Sequence, residues 1–83
     1  MSKKWTVYLL RCSDSSLYCG VTNDLQCRVR RHNAGKGAKY TRGRGPVSLV
    51  AAKTGFTKSE AYQLEYQIKQ LPKIKKVPAL ESL

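Results

Sequence analysis

The feature that most constrains the fold is a pair of strand-like segments close to the N-terminus. The first is WTVYLLR at residues 5–11, and the second runs over residues 17–21, from Leu17 to Val21. Both are rich in β-branched, aromatic and aliphatic side chains, which favour the extended backbone of a sheet. The DSS triplet at 14–16 is typical of a tight turn. The sequence therefore predicts an antiparallel hairpin at the base of the fold.

A helix and a third strand are predicted after the hairpin. Asn23 or Asp24 offers a capping oxygen, so we expect a helix that begins there and runs to about His32. Glycines then recur through residues 35–45, which indicates a loop. The third strand is predicted over residues 47–53, directly after Pro46.

A second helix is predicted in the C-terminal third of the chain. Thr57 followed three residues later by Glu60 is a capping box, and the helix that it opens should run to about Leu71. Pro72 and Pro78 should then leave only a short, interrupted helix or turn. The order β-β-α-β-α-α predicts a small mixed α/β fold of the α+β type with an antiparallel sheet. A chain of 83 residues leaves room for one domain, residues 1–83.

Basic residues dominate the charge of the chain. It has 16 Lys and Arg against 5 Asp and Glu, and a net charge of +11. Residues 26–45, QCRVRRHNAGKGAKYTRGRG, contain many cations and no carboxylate. This balance favours nucleic acid as the partner. An anionic membrane fits less well because the cations are not confined to one face of an apolar helix. A solvated basic surface without a ligand is the alternative.

The cysteines and the N-terminus indicate a reducing compartment. Three cysteines, at 12, 19 and 27, do not form a disulfide-like framework. The apolar run WTVYLL is too short for a signal core or a membrane span. We therefore expect a cytoplasmic protein that is not attached to a membrane. A zinc set of the three cysteines with His32 is the less favoured alternative to buried thiols, because no CxxC pair is present.

Candidate chemical groups lie on both predicted helices. Arg28 and His32 are i,i+4 neighbours on the packing side of the first helix, where an arginine is costly unless an anion compensates its desolvation. The simpler alternative is that Arg28 extends along the rim of the core while His32 caps the helix end. On the second helix, Glu65 lies beside the buried stripe. It is either a metal ligand or half of a surface pair with Lys69.

Two tyrosines on the hairpin are further candidates. Tyr8 and Tyr18 are, in the simpler interpretation, half-buried packing residues of paired strands. If Arg28 and a metal lay close to one of them, its pKa could fall from about 10 toward neutrality, and it could act as a general base.

Five ordered motifs resemble the GIY-YIG nuclease superfamily, specifically its small stand-alone members. The triplet TVY, which ends at Tyr8, resembles GIY, and YCG, which begins at Tyr18, resembles YIG. The segment VTNDLQCRVRRH resembles the helix that carries the family's arginine and histidine, here Arg28 and His32. GKGAKYTR and SEAYQLEYQIKQL match further segments, the latter with Glu65 at the family's metal-binding glutamate.

The resemblance, which covers roughly residues 5–76, implies a fold and an activity. It implies a three-stranded antiparallel sheet flanked by helices and one cleft lined by Tyr8, Tyr18, Arg28, His32 and Glu65. By analogy the protein is an endonuclease that hydrolyses phosphodiester bonds in DNA, with structured or damaged DNA in repair as the expected substrate. Glu65 would hold Mg²⁺ or Mn²⁺ and Arg28 would clamp the phosphate. One of the tyrosines would act on the attacking water, with His32 in support. No small-molecule cofactor is expected.

Around this cleft we expect a nucleic-acid-binding surface, and Tyr40 on it could stack on an exposed base. The expected contacts are Arg30, Arg31, Lys36, Lys39, Tyr40, Arg42 and Arg44. Two alternatives explain the basic surface without efficient phosphodiester cleavage. One is a catalytically weak nucleic-acid-binding module with a nuclease fold, and the other is an accessory protein bound to RNA. A monomer is favoured.

Overall fold

Three antiparallel strands form the centre of the fold. In the computed structural model, which describes residues 3–83, β1 (Trp5–Arg11) pairs with both β2 (Leu17–Thr22) and β3 (Ser48–Phe56). The strand order is β2-β1-β3, so β1 is central and the other two strands are edges. The predicted hairpin and the three-stranded antiparallel sheet are confirmed.

The third strand is longer than predicted and continues past Lys53 to Phe56. Phe56 pairs with Trp5 at the start of the central strand. This pairing carries β3 through Gly55, which adopts a positive φ of 102° that a residue with a side chain rarely takes. The additional length therefore comes from pairing across the sheet, which no local pattern in the sequence shows.

The first helix, α1 (Leu25–Asn33), starts at a side-chain cap. Asp24 is its N-cap, and the carboxylate accepts a hydrogen bond from the backbone N–H of Cys27 at 3.2 Å. The predicted start is therefore confirmed, and the helix ends one position after His32.

The second helix, α2 (Lys58–Lys69), starts at the predicted capping box. The Thr57 hydroxyl accepts the backbone N–H of Glu60, and the Glu60 carboxylate accepts the backbone N–H of Thr57. The helix ends at Lys69, slightly before the predicted Leu71.

The C-terminal segment is a regular helix, α3 (Lys73–Glu81), that begins after Pro72 and contains Pro78. The predicted short C-terminal helix is confirmed, and Pro78 lies within it without ending it. Leu80 in its last turn is fully buried in the core, and burial of an apolar face can outweigh a poor local propensity. None of the helices in residues 3–83 is long and apolar enough to span a membrane.

The sheet separates two hydrophobic clusters. Side chains alternate along β1, so Val7 and Leu9 pack with residues of α2 and α3 on one face. Tyr8 and Leu10 pack on the other face, where Val29 of α1 contributes. The alternation therefore places Tyr8 on the α1 side, while α2 lies on the opposite side of the sheet.

Candidate active site at the edge of the sheet

Tyr8 is the buried centre of the candidate site. Its side chain is 0% exposed, and its hydroxyl lies 3.0 Å from Nε2 of His32. Gly20 pairs with Tyr8 across the hairpin. A Cβ at position 20 would collide with the hydroxyl and ring of Tyr8. Glycine in the YCG triplet therefore leaves the space that the buried phenol occupies.

A buried hydrogen-bond chain fixes the protonation of His32, which is 1% exposed. Its Nδ1 lies 2.8 Å from Oγ1 of Thr41, and the Thr41 hydroxyl donates its single proton to the Ala38 carbonyl at 2.9 Å. Oγ1 can therefore only accept from His32, so Nδ1 carries the ring proton. Burial, followed by the charge of Arg28, lowers the pKa of His32, which keeps the ring neutral. Nε2 is then an acceptor, and the Tyr8 hydroxyl donates to it.

Arg28 joins this chain on the other side of Tyr8. The pKa of Arg28 is raised, and the largest cause is a hydrogen bond with Tyr8. Because the Tyr8 hydroxyl donates to His32, its oxygen can only accept from the neighbouring guanidinium. The donors of the hydrogen bonds therefore run in the order Tyr8, His32, Thr41. Tyr8 lies on one side of the Arg28 guanidinium. Because a guanidinium has five N–H donors, others remain available to bind an anion.

Both phenols of the site ionise less readily than an ordinary tyrosine. Burial raises the pKa of Tyr8 to about 12, and the opposing hydrogen bond with Arg28 is a smaller effect. Burial also raises the pKa of Tyr18, although Lys69 and Arg28 act in the lowering direction. Arg28 by itself therefore does not produce the expected fall toward neutrality, because desolvation outweighs the nearby cation.

Tyr18 lies where the two layers of the molecule meet. It belongs to β2, an edge strand, and is half-buried. On the α1 side, its ring centroid is 5.2 Å from that of His32. On the α2 side, Nζ of Lys69 lies 5.9 Å from the same ring centroid. The edge of β2 therefore brings together side chains from opposite faces of the sheet.

Glu65 approaches the same edge from α2. Its side chain is 18% exposed, and a carboxylate oxygen lies 3.4 Å from Nζ of Lys69, the pair expected from their spacing. After burial, the charge of Glu65 contributes to the raised pKa values of Tyr18 and Cys19. Arg28 lowers the pKa of Tyr18. Glu65 and Arg28, which lie on different helices, therefore act on one phenol.

A metal at this edge would have a single carboxylate ligand from the protein. Within residues 3–83, no three His, Cys, Asp or Glu side chains are grouped as a metal cage. Glu65 offers a hard oxygen ligand, and Mg²⁺ is often held by one or two carboxylates, with waters and phosphate oxygens completing its shell. The donor set fits a hard divalent cation better than a closed zinc site of cysteines and His32.

The glycine-rich loop after α1 is anchored to the site. Residues Lys39–Thr41 form a single 3₁₀ turn, in which Thr41 is buried. Gly37 approaches His32 so closely that a Cβ there would overlap the imidazole ring. Farther along the loop, Nη1 of Arg44 lies 2.9 Å from a carboxylate oxygen of Asp14 in the hairpin turn. The loop is thus packed on His32 rather than freely solvated.

The residues predicted to contact nucleic acid fall into two groups. Arg44 is ion-paired, and its guanidinium lies 4.3 Å from the ring centroid of Tyr40. Tyr40 in turn stacks on Tyr18, with centroids 5.9 Å apart and planes at 27°. Both side chains therefore already contact other groups of the protein, and their contact with nucleic acid stays a prediction. The others are exposed: Arg30, Arg31, Lys36, Lys39 and Arg42.

Thr41 is the residue of the site that the sequence-based prediction missed. It lies in the motif GKGAKYTR, in which the predicted contacts were the cations and Tyr40. Thr41 is the one β-branched residue between Gly35 and Gly45, and such a residue in a polar loop is a weak signal of burial. The pairing of Thr41 with His32 depends on how the loop folds back.

Comparison with known proteins identifies a matching family over most of the chain. Residues 4–76 match the family described as the GIY-YIG catalytic domain. A UPF0213 protein from Oceanobacillus iheyensis is 53% identical over 81 residues, which cover 98% of this chain and 94% of the relative. A UPF0213 protein, YazA, from Bacillus subtilis is 54% identical over 69 residues, which cover 83% of this chain and 70% of the relative.

Two solution NMR structures share the fold. The UPF0213 protein from Bacillus halodurans is 47% identical with a TM-score of 0.57, covering 93% of this chain and 82% of the other. A protein from E. faecalis is 36% identical with a TM-score of 0.66, and the match covers 98% of this chain and 86% of the other.

The protonation of His32 can be measured directly, because the chain has one histidine. We expect ¹⁵N NMR at about pH 7 to show a neutral ring with its proton on Nδ1. Thr41→Val removes the acceptor of that proton and should increase the Nε2–H form, whereas Thr41→Ser should preserve the wild-type spectrum. A wild-type ring protonated on Nε2, or a tautomer that does not respond to Thr41→Val, would contradict the assignment.

Proposed function

This chain belongs to the GIY-YIG family, and from that premise we propose that it is a divalent-metal-dependent endonuclease that hydrolyses phosphodiester bonds in DNA. The observation that supports the proposal most strongly is that Lys69, which lies 3.4 Å from the Glu65 carboxylate, also lies 5.9 Å from the ring centroid of Tyr18, which is itself 5.2 Å from that of His32. A chain with a net charge of +11 and only 5 acidic residues gains no affinity for a polyanion from a carboxylate in its basic cleft. Coordination of a divalent metal ion would give the Glu65 carboxylate a function in the cleft.

Arg28 is proposed to hold the scissile phosphate. Its interaction with the Tyr8 hydroxyl, which is bonded to His32, favours an orientation of the guanidinium toward the cleft. A planar fork that is held from one side can place parallel N–H groups on two phosphate oxygens. In this account Tyr8 and His32 are positioning residues of Arg28. This agrees with their full burial, which keeps both away from an attacking water.

Tyr18 is proposed to act on the attacking water, because it is the half-buried phenol of the site. In its ionised form it accepts a proton from water as the oxygen attacks phosphorus and the bond to the 3′-oxygen breaks. The departing 3′-oxygen takes a proton from solvent, so the products carry 5′-phosphate and 3′-hydroxyl ends. Lys69 and Arg28 both favour the ionised form. Glu65 would hold Mg²⁺ or Mn²⁺, and a bound cation supplies charge that polarises the phosphate, stabilises the leaving oxygen and offsets the carboxylate beside Tyr18.

The exposed cations beside the cleft are proposed to bind the phosphates that flank the cut. Arg30 and Arg31 lie on α1, and Lys36, Lys39 and Arg42 lie on the loop packed against His32. Such contacts position the backbone without reading its sequence. Structured DNA in repair is therefore a suitable substrate class, because its shape rather than its sequence would select the site of cleavage. Three free cysteines support the cytoplasm as the compartment.

The endonuclease proposal is tested by a cleavage screen on flapped, branched and single-stranded DNA with Mg²⁺ or Mn²⁺. We expect wild-type protein to cut at least one of these, and Glu65→Gln to reduce the rate by about 100-fold or more, since it removes charge that acts in the transition state. The matched control is Glu81→Gln, which removes a carboxylate on the exposed end of α3 and should leave the rate unchanged. Wild-type protein that binds DNA but never cuts it would instead support the nucleic-acid-binding module.

The pH dependence of cleavage tests the role of Tyr18. Because burial raises its pKa, the ionised fraction is small at neutral pH and grows as the pH rises. We therefore expect the single-turnover rate to increase between about pH 7 and pH 9. Tyr18→Phe should be slow and should lose this increase. A wild-type rate that is flat or falls over this range would show that Tyr18 is not the base.

A further inference from the structure

The shoulder of α2 that carries Glu65 continues into exposed aromatic side chains. At about 100° per residue, Tyr62 and Tyr66 lie on the same side of the helix as Glu65 and Lys69, while Ala61 faces the core. Tyr66 is 67% exposed and Tyr62 is 46% exposed. Two large rings therefore lie in solvent on the helix that carries Glu65.

A third ring and two cations extend this surface. The ring centroids of Trp5 and Tyr62 are 6.2 Å apart, with the planes tilted by 45°. Nζ of Lys58 lies 5.5 Å from the Trp5 ring centroid. At the other end, Lys69 lies over Tyr18 in the cleft. Trp5, Tyr62 and Tyr66, which we call the aromatic row, are thus flanked by a cation at each end.

A shallow groove runs along the outer surface of α2 beside this row. Its lining consists of Ser59, Tyr62, Gln63, Tyr66 and Gln67. These side chains combine aromatic faces with hydroxyl and amide groups that both donate and accept hydrogen bonds, and none is a carboxylate. Nearby Glu60 is engaged in its capping box at the helix start. The groove therefore presents stacking and hydrogen-bonding groups without negative charge.

We propose that the aromatic row binds unpaired nucleotides of a nucleic acid strand that leaves the active-site cleft along α2. A row of aromatic side chains with cations at both ends suits single strands, because every exposed base offers a face for stacking and each phosphate carries a charge. Association of two copies of this chain through the same surface is disfavoured by the repulsion of two molecules of charge +11. The inference that the bound strand comes from the active-site cleft rests on the proposed nuclease function. Binding of unpaired nucleotides at the aromatic row does not depend on that function.

The test is a binding titration in EDTA, which separates binding from cleavage. Trp5 is the one tryptophan of the chain and contacts Tyr62, so its fluorescence reports occupancy of the row. An oligothymidylate of about 12 nucleotides should quench it. Tyr66→Ala should weaken binding of this strand by about tenfold, the loss of roughly one stacked base. Tyr66 is mostly exposed, so the variant should fold normally.

Two controls distinguish stacking from other effects at one salt concentration. Tyr66→Phe keeps the ring and should bind like wild type, and Tyr66→Ala should hardly change the affinity for a duplex of equal length, whose bases are not available for stacking. Unchanged single-strand affinity in Tyr66→Ala would overturn the proposal. So would equal losses for strand and duplex, or a Tyr66→Ala effect on self-association alone. Normal binding without any cleavage would instead count against the nuclease function and leave the aromatic row in place.

Discussion

The buried chain of hydrogen bonds that links Tyr8, His32 and Thr41 is the constraint on which the site depends. Each member has polar groups that would cost about 1–3 kcal/mol if buried without a partner, and in residues 3–83 no buried side-chain N or O atom lacks one. The Ala38 carbonyl ends the chain and thereby sets the direction of every donor in it. The loop that follows α1 thus sets the direction of the hydrogen bonds around His32.

The position of the site follows from the strand order. Because β1 is central, its alternating side chains supply both hydrophobic clusters and send Tyr8 beneath α1. Only at an edge can a group on α2 meet groups on α1, and Tyr18 on β2 is placed there. The same arrangement brings Glu65, through its ion pair with Lys69, toward Tyr18. A cation held by Glu65 would balance the one negative charge that disfavours ionisation of Tyr18.

The sequence predicts what is locally encoded. The hairpin and the Thr57 capping box depend on neighbouring residues, and the helical period places Arg28 on the packing side of α1. By contrast, the length of β3 depends on pairing with Trp5, and the role of Thr41 depends on a loop that folds back onto a helix. The raised phenol pKa values were missed for a similar reason, since burial is a property of the assembled core. The residue types in the sequence therefore indicated which chemical groups form the candidate site. Tertiary packing determined which of these groups donates each hydrogen bond.

The central claim is that Glu65 and the groups around Tyr18 share one metal-binding edge, and Mn²⁺-induced NMR line broadening tests it without requiring cleavage. Addition of Mn²⁺ in small amounts should broaden the signals of Tyr18, Cys19 and Glu65 first, and Glu65→Gln should abolish this effect. Broadening centred on Asp14 or on Glu81, with the Tyr18 signals remaining sharp, would contradict the account.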